Sequence, residues 1–171
     1  MRAILLSKRL VRQIHMRVEA EKTLRELGYD LDKWMVPAPK AVYVPVVKCG
    51  KMLYTAGHVP YQPGTSTLFE GKVGAQFSVE EANKVAELIA VNMLKNIKDC
   101  IGTSLWVLNG FVNADGAFAQ HSMVINGASE LLVKVFGSEI GSHARTAVGA
   151  PGLPFNGTLQ NWYSSNSAGG N

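Results

Sequence analysis

The chain has 171 residues, 47% of them hydrophobic and 18% charged, which suits one globular domain with short extensions and excludes a disordered chain. No apolar run approaches the roughly 20 residues that span a bilayer, so no membrane partner is expected. The net charge is +4, and its placement matters more than its size.

The first segment carries that charge. Arg2, Lys8, Arg9, Arg12 and Arg17 all precede the first acid, Glu19, with Ile4, Leu5, Leu6, Leu10, Val11 and Ile14 between them. Residues 1–17 therefore have the composition of a mitochondrial targeting helix or of a plain basic extension, which leaves mitochondrial matrix and cytoplasm both open. Without those five, twelve of the seventeen cations face thirteen acids. A body so balanced lacks the basic stripe that phosphate backbones require, and a nucleic-acid partner is not expected.

Residues 18–31 read as a helix, with Ala20, Leu24, Leu27 and Leu31 on one face. Val36-Pro-Ala-Pro39 then breaks the chain, so residues 18–39 form a helix and a proline-containing linker ahead of a main domain at 40–163. Residues 41–48 and 51–56 form a hairpin about Cys49-Gly50, with Pro45 restricting the first strand to an edge or bulge. Residues 61–76 read as a glycine-containing loop with a short strand. A helix is expected over 79–101, capped by Ser78 and Glu81, with Ala82, Ala86, Ile89, Met93, Ile97 and Cys100 inward and Gly102 as its stop. A strand follows at 105–113, then a helix at 123–136 ended by Gly137, and a strand at 145–149. Residues 159–163 allow a short strand, and 164–171 read as a flexible tail. Two cysteines and four scattered histidines give neither a disulfide framework nor a metal-ligand spacing, so no metal is expected. Strands separated by helices predict an α+β layer with two helices on one face of a mixed sheet.

Several segments, in order, carry a resemblance. They are Tyr43-Val-Pro45, Leu53-Tyr-Thr-Ala-Gly57-His-Val-Pro60, Asn96-Ile-Lys98, Gly110-Phe-Val-Asn113, Val124-Ile-Asn-Gly-Ala128, His143-Ala-Arg-Thr-Ala-Val148 and Leu153-Pro154. Over residues 20–156 the chain resembles the Rid family of YjgF-like, chorismate-mutase-like proteins, also called endoribonuclease L-PSP, in the subgroup with an added N-terminal helix. The resemblance implies a homotrimer with ligand clefts between subunits and no cofactor. It also implies hydrolysis of reactive enamines and imines to 2-keto acids and ammonia, with RNA cleavage reported for some members.

The resemblance assigns residues as well. Arg145 matches the arginine that holds a substrate carboxylate, a task suited to its paired donors, though a structural ion pair would use the same residue. Tyr43 matches a tyrosine packed on the ligand, or is simply an edge-strand aromatic. Gly57 matches the glycine whose backbone approaches the ligand, or is a turn glycine. Asn126 matches an asparagine near the start of the second helix, where it also fits ordinary helix-end chemistry.

Five departures accompany these matches. Ala56 and His58 stand where many members have serine and glutamine, and Ala147 stands where some have a reactive cysteine, which removes a thiolate mechanism. His58 is the only nearby candidate proton handler, with a hydrogen-bonded structural residue as the alternative. Family members carry a glutamate on the last strand to activate water, whereas this chain has no Asp, Glu, Lys, Arg or His from Thr146 to Asn171. The stretch 103–109 is also shorter than is usual in the family. The expected function is a site for small carboxylate metabolites, with enamine or imine hydrolysis, an impaired trimeric binding protein and an endoribonuclease as the readings in that order.

Overall fold

A computed structural model describes residues 2–50, 52–98 and 101–167. In chain order it contains α1 (Arg2–Glu26), β1 (Val46–Cys49), β2 (Met52–Thr55), α2 (Val79–Ile97), β3 (Ile101–Asn113), α3 (His121–Gly141), β4 (Ala144–Ala150) and β5 (Leu159–Ser167), with a short 3-10 turn at Pro154–Asn156. The five strands form one sheet in the order β1-β2-β5-β3-β4. All neighbours are antiparallel except β3 and β4, which run parallel because α3 carries the chain back between them.

The layer forms because helix and strand periodicities point at the same core. Ala82, Ala86, Ile89, Met93 and Ile97 of α2 are buried, as are Val124, Ala128, Leu131 and Leu132 of α3. They meet the alternating inward residues Leu108 and Val112 of β3 and Leu159 and Tyr163 of β5. The capping box of α2 is complete: the Glu81 amide donates to Ser78 Oγ at 3.1 Å, and the Ser78 amide donates to Glu81 Oε2 at 2.8 Å.

Several boundaries differ from the sequence reading. The first helix is continuous from Arg2 and stops at Glu26 rather than 31. Its end is a Schellman turn, with Gly28 at φ +91°, the Tyr29 amide bonded to the Leu24 carbonyl at 2.7 Å and the Gly28 amide to that of Arg25 at 3.0 Å. Leu31 is nonetheless buried, in the turn that follows. The second helix ends at Ile97, and the Cys100 position lies outside the described residues. Gly102 is a strand residue, not a helix stop. Gly137 breaks α3 as expected, at φ +73°, but the chain resumes helix as far as Gly141.

The largest correction concerns the end of the chain. Residues 164–167 were expected to fray, yet β5 runs through Ser167 between β2 and β3. Ser164, Ser165 and Asn166 pair with both neighbours, so backbone ladders on two sides hold a stretch whose polar side chains predict little strand. The first helix packs on α3 and β3, and the linker after it docks on α2. Tyr29 Oη donates to Glu87 Oε1 at 2.6 Å, Lys95 Nζ donates to the Leu31 carbonyl at 2.7 Å, and Trp34 Nε1 donates to Asn92 Oδ1 at 2.8 Å.

Candidate functional site

Two groups of the expected site residues come together, in two different places. The first gathers around the segment that leaves β2. Residues 56–61 run beside β5, where His58 exchanges backbone hydrogen bonds with Asn161 at 2.7 and 3.1 Å. Gly57 sits under the side chain of Gln160, and a Cβ there would lie 2.0 Å from Gln160 Nε2. A side chain at position 57 would therefore have to push the Gln160 amide aside, a close approach that sequence spacing does not reveal. Tyr43 is exposed and walls two adjoining hollows. One of about 350 Å³ is bounded by Lys40, Tyr43, Gly57, Tyr61, Phe155 and Gln160. Lys40 Nζ stands 5.0 Å from the Phe155 ring centre and 5.8 Å from that of Tyr61, within cation–π range.

His58 does not have the geometry of a proton handler. Its ring is 6% exposed, with Nδ1 3.0 Å from the Ala56 carbonyl and Nε2 2.9 Å from Asn96 Nδ2. A carbonyl can only accept and the amide nitrogen can only donate. The network therefore assigns the Nδ1–H tautomer and leaves no lone pair free. Burial holds its pKa down to about 4, only partly offset by the Ala56 carbonyl. Of the two sequence alternatives, this is the structural one. A consequence for stability follows. The unfolded ring binds a proton near pH 6.5 and the folded ring only near 4, so stability is full above about pH 6.5 and falls as pH drops toward 4. Urea unfolding at a series of pH values is expected to show this slope in the wild type and a shallower one in His58→Gln; parallel slopes would reject it.

The second group lies across the sheet. Arg145 occupies the edge strand β4, on the side facing α3. Its Nη1 donates to Asn126 Oδ1 at 2.8 Å and to Ser129 Oγ at 3.1 Å. Asn126 and Ser129 are three residues apart on α3 and so share a face. Ser129 Oγ lies 3.0 Å from His143 Nε2, and His143 Nδ1 lies 2.7 Å from the Gly141 carbonyl, so the hydroxyl donates to the ring and accepts from the guanidinium. No carboxylate pairs with Arg145 among the described residues, so the ion-pair alternative does not hold here. The guanidinium is held by neutral oxygens and is exposed. Sequence reading identified Arg145 and Asn126; Ser129 and His143 were missed as partners, although His143 lies in the quoted motif and Ser129 is three positions beyond Asn126.

Within one chain the two groups do not meet. His58 bridges Asn161, which pairs with Gly110, which pairs with Ala147 of β4. Three strand spacings make roughly 14 Å. Gln160 moreover alternates with the buried Asn161 and points to the uncovered face, whereas Arg145 points to α3. Among the described residues no cluster of three His, Cys, Asp or Glu side chains suits a metal ion, and no helix is long and apolar enough to cross a membrane.

The sequence model of the YjgF/chorismate mutase-like endoribonuclease family matches residues 23–164. The chain belongs to that family. Protein TCP17 of Trypanosoma cruzi is 34% identical over 142 residues, covering 80% of this chain and 87% of that protein. Among solved structures, the YjgF-family fold recurs in Atu1372 of Agrobacterium tumefaciens, a protein of unknown function. It is 33% identical, with a TM-score of 0.75, over 93% of this chain and 99% of that one. A Shewanella oneidensis protein called an endoribonuclease is 28% identical, with a TM-score of 0.78, over 86% and 98%. The five-stranded mixed sheet and its helix layer are thus those of YjgF-like proteins, and the extension at 1–22 precedes the matched region.

Proposed function

We propose that this YjgF-family protein assembles as a homotrimer and binds small 2-imino or 2-keto acids in clefts between copies, with hydrolysis of imines as its reaction. The observation that carries the reading is Arg145, a fixed, uncompensated guanidinium with free donors for a carboxylate. Assembly is supported by what one chain leaves open. Val47, Tyr54, Trp162 and Val148 are exposed on strands whose other face packs on helices. The Tyr43–Gly57 group and Arg145 are also too far apart to close on one small ligand unless a second copy supplies one of them. Light scattering of the full chain is expected to give about three times its 18.5 kDa mass. A clean monomer would remove both the trimer and the cleft.

In the reaction an enamine such as 2-aminoacrylate first tautomerises to the imine. Water adds to the imine carbon, the resulting carbinolamine loses ammonia, and the keto acid remains. Arg145 fixes the carboxylate and orients that carbon. Gln160 stands over Gly57 on the last strand, where family members carry the glutamate that activates water. Its amide orients water by hydrogen bonds but takes no proton. This favours a second reading, a ligand-binding protein with little turnover. Ammonia release from 2-aminoacrylate generated in situ separates the two. Low wild-type release is expected, rising in Gln160→Glu by roughly tenfold or more, since a positioned base contributes on the order of 10²–10⁴. Wild-type turnover unaffected by this substitution would discard the assigned role of residue 160. No release above the protein-free rate from either form would leave the binding reading alone.

A further inference from the structure

The linker delivers a cation to the larger hollow. Trp34 is anchored to Asn92 through its indole N–H at 2.8 Å, and six positions later Lys40 enters the wall of the hollow of about 350 Å³ that holds Gln160. Lys40 is the one charged side chain in that wall, which contains no Asp or Glu. Lys72, Lys84 and Lys98 each reach a carboxylate. Lys40 reaches none among the described residues; its ammonium stands 5.0 Å from the ring centre of Phe155 and 5.8 Å from that of Tyr61.

Phe155 takes its place through an uncommon backbone conformation. It sits at φ +58° and ψ 29°, and Asn156 follows at φ +53°. Asparagine enters this left-handed region readily, whereas in phenylalanine the Cβ crowds the carbonyl that follows. The strained turn leaves the ring 57% exposed and sets it against the Lys40 ammonium. Ring faces hold the cation without neutralising it. In a recess where apolar groups replace part of its water, such an ammonium attracts an anion more strongly than it would in open solvent. An aliphatic group pressed against it would remove hydration and return nothing. The wall therefore selects twice, for an anion by attraction and against an apolar chain by desolvation.

The inference rests on the reading above, in which Arg145 holds one carboxylate of the ligand with its reacting carbon near Gln160 of another copy. The ligand's side chain then occupies the hollow that Gln160 shares with Lys40. We infer that the substrates are 2-imino and 2-keto acids whose side chain ends in a second carboxylate, and that Lys40, between Tyr61 and Phe155, receives it. Lys40 sets specificity and takes no part in proton transfer. The residue comes from the start of the domain, directly after the proline-containing linker, so the docked linker helps to set the substrate class.

The test is a calorimetric titration of the full chain at pH 7 with 2-oxoglutarate and with 5-methyl-2-oxohexanoate, which has nearly the same outline with two methyl groups in place of the terminal oxygens. The wild type is expected to bind 2-oxoglutarate roughly tenfold or more tightly, the value of a hydrogen bond to a charged group. In Lys40→Met that ratio should fall to about one or below, and in Lys40→Arg it should persist. Lys40 is exposed, so neither change threatens the fold. A wild-type ratio near one, a ratio that survives in Lys40→Met, or no binding of 2-oxoglutarate would overturn the inference. Arg145→Ala separates it from the reading beneath it: both affinities should drop while the ratio stays. Both affinities unchanged in Arg145→Ala, with the ratio still lost in Lys40→Met, would remove Arg145 from the site and keep the role of Lys40.

Discussion

Gly127→Ala is expected to destabilise the protein by about 3 kcal/mol or more, or to prevent folding, although the same change in an ordinary helix interior stabilises by roughly 1 kcal/mol. Gly127 lies on α3 where that helix crosses α2. A Cβ there would sit 1.9 Å from the Asn83 carbonyl oxygen and 2.8 Å from its carbon. Both are backbone atoms of α2, so no side-chain rotation relieves the overlap, and the helices must separate. Separation would loosen Val124, Ala128, Ala82 and Ala86, all fully buried, and would strain the hydrogen bond from Asn83 Nδ2 to the Met123 carbonyl at 2.9 Å. It would also displace Asn126, which holds Arg145. Gly116→Ala is the control: its Cβ meets nothing within 4 Å, and its φ is not positive. Urea denaturation of the three proteins would settle it, and a Gly127→Ala midpoint equal to that of Gly116→Ala would show that the crossing tolerates the methyl.

The residues that were legible in the sequence are those whose chemistry is local. Ser78 and Glu81 announce a helix start because the capping box needs only four consecutive residues. Arg145, Tyr43, Gly57 and Asn126 were legible only through an ordered set of family motifs, since nothing in their spacing places them in one cleft. The structure brings Arg145 to Asn126, and brings Gly57 to Gln160, through sheet register and a helix packed across it. The tail was misread because Ser164, Ser165 and Asn166 have poor strand propensity, and a central position overrides propensity by pairing the backbone on both sides. His58 was ambiguous because a lone histidine shows neither its burial nor its partners. Asn92 gave no signal at all: in the sequence it merely interrupts an apolar run, and only the docked Trp34 reveals the partner that lets an amide be buried there.

Arg145→Ala is expected to weaken binding of a 2-keto acid by roughly ten- to a hundredfold, because a charge-assisted contact contributes about 1.5–3 kcal/mol and each 1.4 kcal/mol is tenfold. The side chain suits this because it is already positioned. Asn126 Oδ1 and Ser129 Oγ both accept from the same Nη1, leaving Nη2 and Nε to face a carboxylate as a pair. Arg145→Lys should restore only part of the affinity, since an ammonium cannot bond both Asn126 and Ser129 and still present two parallel donors. Asn126→Ala should cost less than Arg145→Ala, because it removes one of two supports and not the charge. Calorimetric titration of the three variants with 2-oxobutyrate tests the order. Arg145→Ala binding like the wild type would remove Arg145 from the site. Asn126→Ala and Arg145→Ala losing equal affinity would mean that the support, rather than the charge, is what the ligand reads.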